Sequence, residues 1–165
     1  YNALQSYSIC KDIIERRELY KAKTMFILGY SLTESIAYEA ALKIKEISYI
    51  HAEGYPAAEM KHGPIALIDD KMPVVFIVSK TGYSKILSNI EEVKARGGKI
   101  IIVTSVDSEE LKDYSEHVIY IPNTHKFLSP ILKSIPLQLL AYYIAVMKDC
   151  NVDQPRNLAK SVTVE

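Results

Sequence analysis

Four short apolar runs are the feature that most constrains the fold of this chain. They lie at residues 24–28, 73–78, 99–103 and 117–121. Runs of this kind, with little polar alternation, predict strands that are buried on both faces of a parallel sheet. We therefore expect helices to cover both sides of the sheet.

Helical patterns lie between these runs, as the crossover connections of a parallel sheet require. Apolar spacing and boundary signals predict helices at 3–21, 33–48, 84–96, 108–114 and 129–149. Residues 51–70 are expected to be irregular apart from a short helical piece near 57–61. The predicted fold class is α/β, a three-layer αβα sandwich with a doubly wound, mostly parallel sheet of four to five strands. Ligands of such folds bind beyond the carboxyl ends of the strands, where the strand order reverses.

Composition narrows the classes of function. The 165 residues carry 20 Lys and Arg against 20 Asp and Glu, so we expect neither nucleic acid nor a membrane as a partner. No apolar run approaches the roughly 20 residues that span a bilayer. The two cysteines show no zinc or CxxC spacing, and without a signal peptide the expected compartment is the cytoplasm. The chain begins at Tyr1 without an initiator Met, which we interpret as the start of a fragment.

The helix predicted at 33–48 carries a narrow polar stripe of Glu39, Lys43 and Glu46 beside its apolar face. A carboxylate and an ammonium one turn apart at the edge of a buried face shift each other's pKa, which is one way to place a general base. A solvated ion pair between Glu39 and Lys43 fits the same spacing. Spacing alone favours the solvated pair.

A dense polar segment at 51–64 follows this helix and contains two His, two Glu and one Lys. His62 can carry or release a proton near neutral pH and so can serve as an acid or a base. The alternative is that Gly63-Pro64 only ends a helical turn, with His62 as a polar residue in its last turn. His51 fits a structural histidine, and two His without a third ligand make a weak zinc signal. We expect neither a metal nor another cofactor.

Two further segments carry candidate chemistry. The turn at 79–84 places hydroxyls, a glycine and backbone N–H groups at a helix N-terminus, which suits a phosphate group, although ordinary capping explains it as well. The tail at 150–165 is polar, but its apolar side chains Leu158, Val162 and Val164 could dock on the domain. A docked tail would hold Lys160 in a pocket, where desolvation lowers the pKa of its amine and frees it for Schiff-base chemistry. A frayed terminus is the alternative that the residues alone favour.

Three strings in these segments resemble the glucosamine-6-phosphate synthases, which are glutamine–fructose-6-phosphate aminotransferases (isomerising). The strings are EISYIHAE at 46–53, KHGP at 61–64 and DQPRNLAKSVTVE at 153–165. The run PLQLLAY at 136–142 is similar to the family as well. The resemblance covers essentially the whole chain as the second of the family's two sugar isomerase (SIS) domains. It implies an SIS domain at 1–150 and a C-terminal catalytic tail at 151–165.

The resemblance implies three catalytic roles. Glu46 falls on the family's general base, which moves a proton between C1 and C2 of the open-chain sugar. His62 falls on a histidine implicated in ring opening, which reaches the partner's site across a dimer. Lys160 falls on the tail lysine implicated in ring opening through an imine with the ketose.

The resemblance further implies supporting or substrate-binding positions at Lys43, Arg156 and Ala159. The implied reaction turns fructose 6-phosphate and glutamine-derived ammonia into glucosamine 6-phosphate for amino-sugar synthesis, without a metal. The implied partners are the sugar phosphate, a second copy in a homodimer, and the first SIS and glutaminase domains, which this chain lacks. We therefore expect the fragment alone to be inactive. Two alternatives stay open: a non-catalytic module that binds a phosphosugar through 79–84, and a structural domain that completes a dimer.

Overall fold

The computed structural model describes Ser8 and residues 10–15, 19–115 and 117–158. Within them, five parallel strands form one sheet in the order β2-β1-β3-β4-β5. The strands are β1 (Thr24–Gly29), β2 (His51–Pro56), β3 (Pro73–Val78), β4 (Lys99–Thr104) and β5 (Val118–Tyr120). The helices are α1 (Glu34–Ser48), α2 (Tyr83–Ala95), α3 (Glu110–Tyr114) and α4 (Ser129–Met147), with 3-10 turns at Leu19–Lys21, Ser31–Thr33, Ala57–His62 and Pro64–Leu67.

The sheet separates two apolar cores, one on each face. On one face, α1, α4 and the helical residues 10–15 bury their apolar side chains against the sheet. On the other face, α2, α3 and the 3-10 turn Ala57–His62 do the same. Every residue of β3 is buried, as expected for a central strand covered from both sides. The predicted αβα sandwich is therefore confirmed.

β2 is the element that the sequence analysis missed, because it was expected to be irregular. It pairs in parallel along all of β1, from His51 opposite Thr24 to Pro56 opposite Gly29. Its glycine and proline are poor strand formers, and a proline is tolerated there because the strand lies at the sheet edge. A Cβ on Gly54 would lie 2.8 Å from the backbone of Ala37, so this glycine lets α1 pack closely on the strand.

The turn from β1 into α1 also differs from the predicted helix cap. Thr33 is the N-cap residue, but its hydroxyl makes no cap hydrogen bond to α1. Its Oγ1 instead donates to the carbonyl oxygen of Ile77 at 3.1 Å and accepts from the backbone N–H of Tyr30 at 2.8 Å. The turn after β1 is thereby fixed to β3.

The N-terminal helix was predicted in part. Residues 10–15 are helical, as expected, but Leu19–Lys21 is a separate 3-10 turn, and the remainder of the predicted helix at 3–21 is largely outside the described residues.

Among the described residues, α4 alone is long and apolar enough to cross a membrane by length and composition, contrary to the expectation that no run approaches that length. Buried Leu137, Leu140 and Ile144 join α4 to the core, as in the central helix of a packed domain.

Candidate functional site

The predicted site residues lie at two opposite edges of the sheet. α1 begins after the carboxyl end of β1 and returns to the amino end of the parallel strand β2. Glu46, in the last turn of α1, therefore lies at the amino edge of the sheet. The turn at 79–84, which follows β3, lies at the carboxyl edge. Glu46 therefore does not lie beyond the carboxyl ends of the strands, where ligands of such folds bind.

At the amino edge, Lys43 is bound between two carboxylates of α1. Its Nζ lies 2.6 Å from Oε2 of Glu46 and 3.9 Å from Oε1 of Glu39. The hydrogen bond to Glu46 raises the pKa of Lys43, and the charge of Glu39 adds to the effect. The Glu46 side chain is 28% exposed. Its carboxylate is therefore partly exposed, and a second surface can approach it.

Tyr49 ends α1 three residues beyond Glu46 and anchors the tail there. Its backbone is left-handed, with φ of 58°. Its hydroxyl accepts a hydrogen bond from the backbone N–H of Arg156 at 2.9 Å, and the Arg156 guanidinium lies 4.1 Å from the ring centroid. The tail as far as Leu158 is therefore placed, with Arg156 docked at the amino edge, while Ala159 and Lys160 lie outside the described residues.

His62 lies on the other face of the sheet from Glu46. It ends the 3-10 turn Ala57–His62, which packs through Met60 into the core cluster shared with α2. The His62 side chain is 73% exposed, with Nε2 3.9 Å from Oε2 of Glu59. One copy of the chain therefore does not bring His62 and Glu46 together. His51 is the first residue of β2 and is exposed.

A cavity of about 160 Å³ opens at the carboxyl edge. It lies between the turns that follow β1 and β3, which is where the strand order reverses. Ser79, Lys80 and Thr81 line one side, and the N-terminus of α4 lines another. The predicted phosphate turn therefore borders this cavity, which is open to solvent. Among the described residues, no group of three or more His, Cys, Asp and Glu is placed to hold a metal ion.

Lys133 of α4 lines the same cavity and was not identified from the sequence. It is only 2% exposed, and burial lowers the pKa of its amine. A signal was available, because Lys133 precedes Leu137 and Leu140 at helical spacing and so interrupts the apolar face of α4. A lysine on the apolar face of a helix is informative, because lysine is almost never fully buried unless it is paired.

Comparison with known proteins identifies the family. A family model described as the SIS domain matches residues 18–148. The chain belongs to the SIS domain family. Among its relatives, the glutamine–fructose-6-phosphate aminotransferases (isomerizing) of Thermus thermophilus and Aquifex aeolicus are 52% and 56% identical over 95% and 98% of the chain. The chain spans 28% of the length of each of these two curated relatives.

Solved structures agree with this assignment of the SIS domain. The C-terminal domain of glucosamine-fructose-6-phosphate aminotransferase from Francisella tularensis has a TM-score of 0.82 and is 42% identical, covering 92% of this chain and 43% of that one. Glucosamine-6-phosphate deaminase from Thermotoga maritima has a TM-score of 0.76 at 24% identity, covering 97% and 46%. The second likeness shows the fold alone. The resemblance drawn from the three sequence strings is confirmed.

Proposed function

We propose that this SIS domain carries the general base for ketose–aldose isomerisation in a glutamine–fructose-6-phosphate aminotransferase. The observation that carries the proposal is the half-exposed carboxylate of Glu46, bound to Lys43 at 2.6 Å in the last turn of α1. The identity of about half the chain to aminotransferases of that name supports the choice of reaction. The substrate of the whole protein is then fructose 6-phosphate and its product glucosamine 6-phosphate.

Glu46 takes a proton from C1 of the open-chain ketose imine, which leaves an enolamine, and then returns a proton to C2 to give the 2-amino aldose. One carboxylate on one face of the sugar serves both steps. Lys43 holds that carboxylate in one orientation through the hydrogen bond from its Nζ to Oε2 of Glu46. The ion pair also explains why Lys43 stays protonated and is not itself the base. Both groups lie at the edge of this domain, so the sugar binds between this edge and another surface.

The tail is proposed to deliver Lys160 to the same place. Arg156 docks on Tyr49, three residues from Glu46 along the chain. Four residues of extended chain span at most about 14 Å, so an anchor at Arg156 keeps Lys160 within reach of the amino edge. The amine of Lys160 then opens the sugar ring by forming an imine with the ketose carbonyl and releasing water.

His62 is proposed to act in a homodimer. Within one copy, the sheet separates His62 from Glu46, and the His62 side chain is 73% exposed, so it is available to a second copy. The proposed dimer brings His62 of one copy to the Glu46 edge of the other.

The cytoplasm is the proposed compartment, because Cys10 and Cys150 are both free thiols. Burial raises the pKa of Cys10 to about 12, which keeps that thiol unreactive.

The proposal is tested by Glu46→Gln in the full-length protein that contains this chain. Loss of a general base costs about 10²–10⁴-fold in rate, so isomerisation should fall by at least a hundredfold while glutamine hydrolysis is retained. Glu53→Gln, on the half-exposed edge strand β2, is the matched control and should leave both rates unchanged. Isomerisation that survives Glu46→Gln would contradict the assignment.

A further inference from the structure

A second cavity, of about 530 Å³, opens at the amino edge of the sheet. It borders the starts of three neighbouring strands, β1, β3 and β4. The charged residues that line it, among those that the structure describes, are four lysines and one aspartate: Lys21, Lys23, Lys71, Lys99 and Asp69. The chain as a whole has equal numbers of acidic and basic residues, so the excess of positive charge is a property of this amino-edge cavity.

The backbone fixes three of these lysines at neighbouring strand starts. The carbonyl oxygen of Lys23, just before β1, accepts a hydrogen bond from the first N–H of β2 at 3.1 Å. The N–H of Lys99, which begins β4, donates to the carbonyl oxygen of Met72 at 2.9 Å. Lys71 lies two residues before β3, and its N–H donates to Oδ1 of Asp69 at 2.9 Å. Two strand spacings of about 4.8 Å separate β1 from β4, so the three lysines are spread over roughly 10 Å of the sheet edge.

These three lysines lack counter-ions within the described part of the chain. None of Lys23, Lys71 and Lys99 forms an ion pair there. The carboxylate of Asp69 faces the backbone N–H of Lys71. Ammonium groups gathered at one edge repel each other, and an anion placed between them replaces that repulsion with attraction. A single phosphate cannot reach across the three strand starts, whereas a chain of linked phosphates can.

Part of the cavity wall is apolar. Met72 is 3% exposed and Pro73 is buried, and both line the cavity. Leu67, which also lines it, is 63% exposed. The volume lies within the roughly 300–1,000 Å³ that is usual for small-molecule sites. The cavity therefore has room for an apolar group attached to the phosphate chain.

We propose that the amino-edge cavity binds an oligophosphate, either free or as the phosphate chain of a nucleotide, with Lys23, Lys71 and Lys99 as its contacts. Each ammonium donates charge-assisted hydrogen bonds to phosphate oxygens. Glu46 and Lys43 are not among the described residues that line this cavity. The site therefore does not depend on the isomerase proposal.

The test uses the 165-residue chain labelled with ¹⁵N and titrated with tripolyphosphate in magnesium-free buffer. We expect amide shifts at residues 22–24, 69–72 and 99. Inorganic phosphate should bind at these amides at least about tenfold more weakly, because it cannot engage the three lysines together. The affinity for tripolyphosphate should fall several-fold between about 50 mM and about 0.3 M salt, since the contacts lie at the surface.

Two substitutions remove the charges without removing buried apolar groups. Lys71→Gln should weaken binding of tripolyphosphate about threefold, and Lys71→Gln with Lys99→Gln about tenfold, because exposed charge pairs are individually weak and separate contacts add. Lys126→Gln removes the same charge from an exposed side chain at the opposite edge of the sheet. It is the matched control and should leave the affinity measured at the amino-edge amides unchanged. The ¹⁵N spectrum of each variant shows whether it is folded.

A parallel titration with ATP separates the two sources of the phosphate chain. Tighter binding of ATP, with an added amide shift at Leu67, assigns the site to a nucleotide, while equal or weaker binding assigns it to a free oligophosphate, and both outcomes support the site. The proposal is overturned if tripolyphosphate causes no shifts at these amides or if inorganic phosphate binds there as tightly. It is also overturned if the folded double variant binds tripolyphosphate as tightly as the original chain.

Discussion

The two edges of the sheet hold their charges in opposite ways. At the amino edge, Lys43 is half-exposed and paired with Glu46 at 2.6 Å. At the carboxyl edge, Lys133 is buried, has no ion pair with another described residue, and lines a cavity of about 160 Å³. The amino-edge pair lies on the surface of the domain, whereas the space beside Lys133 is formed within the domain. The contrast shows that a lysine is stabilised by a neighbouring carboxylate at one edge and loses hydration through burial at the other.

The largest expected effect concerns the packing that places Glu46. Gly54→Ala adds a Cβ 2.8 Å from the backbone of Ala37, so α1 has to move away from β2. Overpacking of this kind costs about 1–3 kcal/mol, and we expect the free energy of unfolding in urea to fall by about 2–3 kcal/mol. Glu53→Ala on the same strand is the control, with an expected change below about 0.5 kcal/mol. An unchanged stability for Gly54→Ala would show that α1 does not pack on β2 as closely as described.

A smaller effect of opposite sign is expected at the carboxyl edge. Lys133→Met removes a buried ammonium that has no ion pair with another described residue, so the free energy of unfolding at pH 7 should rise by about 1 kcal/mol or more. Burial lowers the folded pKa of Lys133 below its usual 10.5, so the unfolded chain binds more protons between the two values and the original chain gains stability as pH rises through that window. The advantage of Lys133→Met should therefore shrink toward pH 10.5.

Urea denaturation at several pH values measures this difference, with Lys148→Met as the control that should show no such trend. A loss of stability in Lys133→Met at pH 7 would mean that the ammonium has a partner in the folded chain. That result would remove the contrast between the two edges.

The smallest effect concerns the anchor of the tail. Tyr49→Phe removes the hydroxyl that accepts the Arg156 N–H at 2.9 Å, which weakens the tail by about 1 kcal/mol. Amide hydrogen exchange at Arg156 should become about fivefold faster, while Tyr38→Phe, on the exposed side of α1, should not change it. An unchanged exchange rate at Arg156 would show that the hydroxyl of Tyr49 does not anchor the tail at the amino edge.

The sequence predicted the elements whose apolar patterns are strong. β3 and β4 are continuous apolar runs, and α1 has a clear apolar stripe, because each of them faces a core. β2 was missed because an edge strand needs no such run, and the packing reason for Gly54 exists only in three dimensions. The local sequence pattern therefore predicts a strand that is buried on both faces better than a strand at the edge of the sheet.

The candidate site was predicted in a similar, partial way. The strings around Glu46 and His62 identified the family, but sequence could not place the two residues on opposite faces of the sheet, since that depends on strand order. Lys133 could not be identified from the sequence because its burial is a property of the packed domain. The sequence left the turn at 79–84 open between a phosphate site and ordinary capping, and the structure adds that Ser79, Lys80 and Thr81 line a cavity.

The most direct measurement is the isomerase rate of Glu46→Gln in the full-length protein that contains this chain. The rate should fall by at least a hundredfold, while Glu53→Gln should leave it unchanged. An isomerase rate that survives Glu46→Gln would contradict the assignment of Glu46 as the general base.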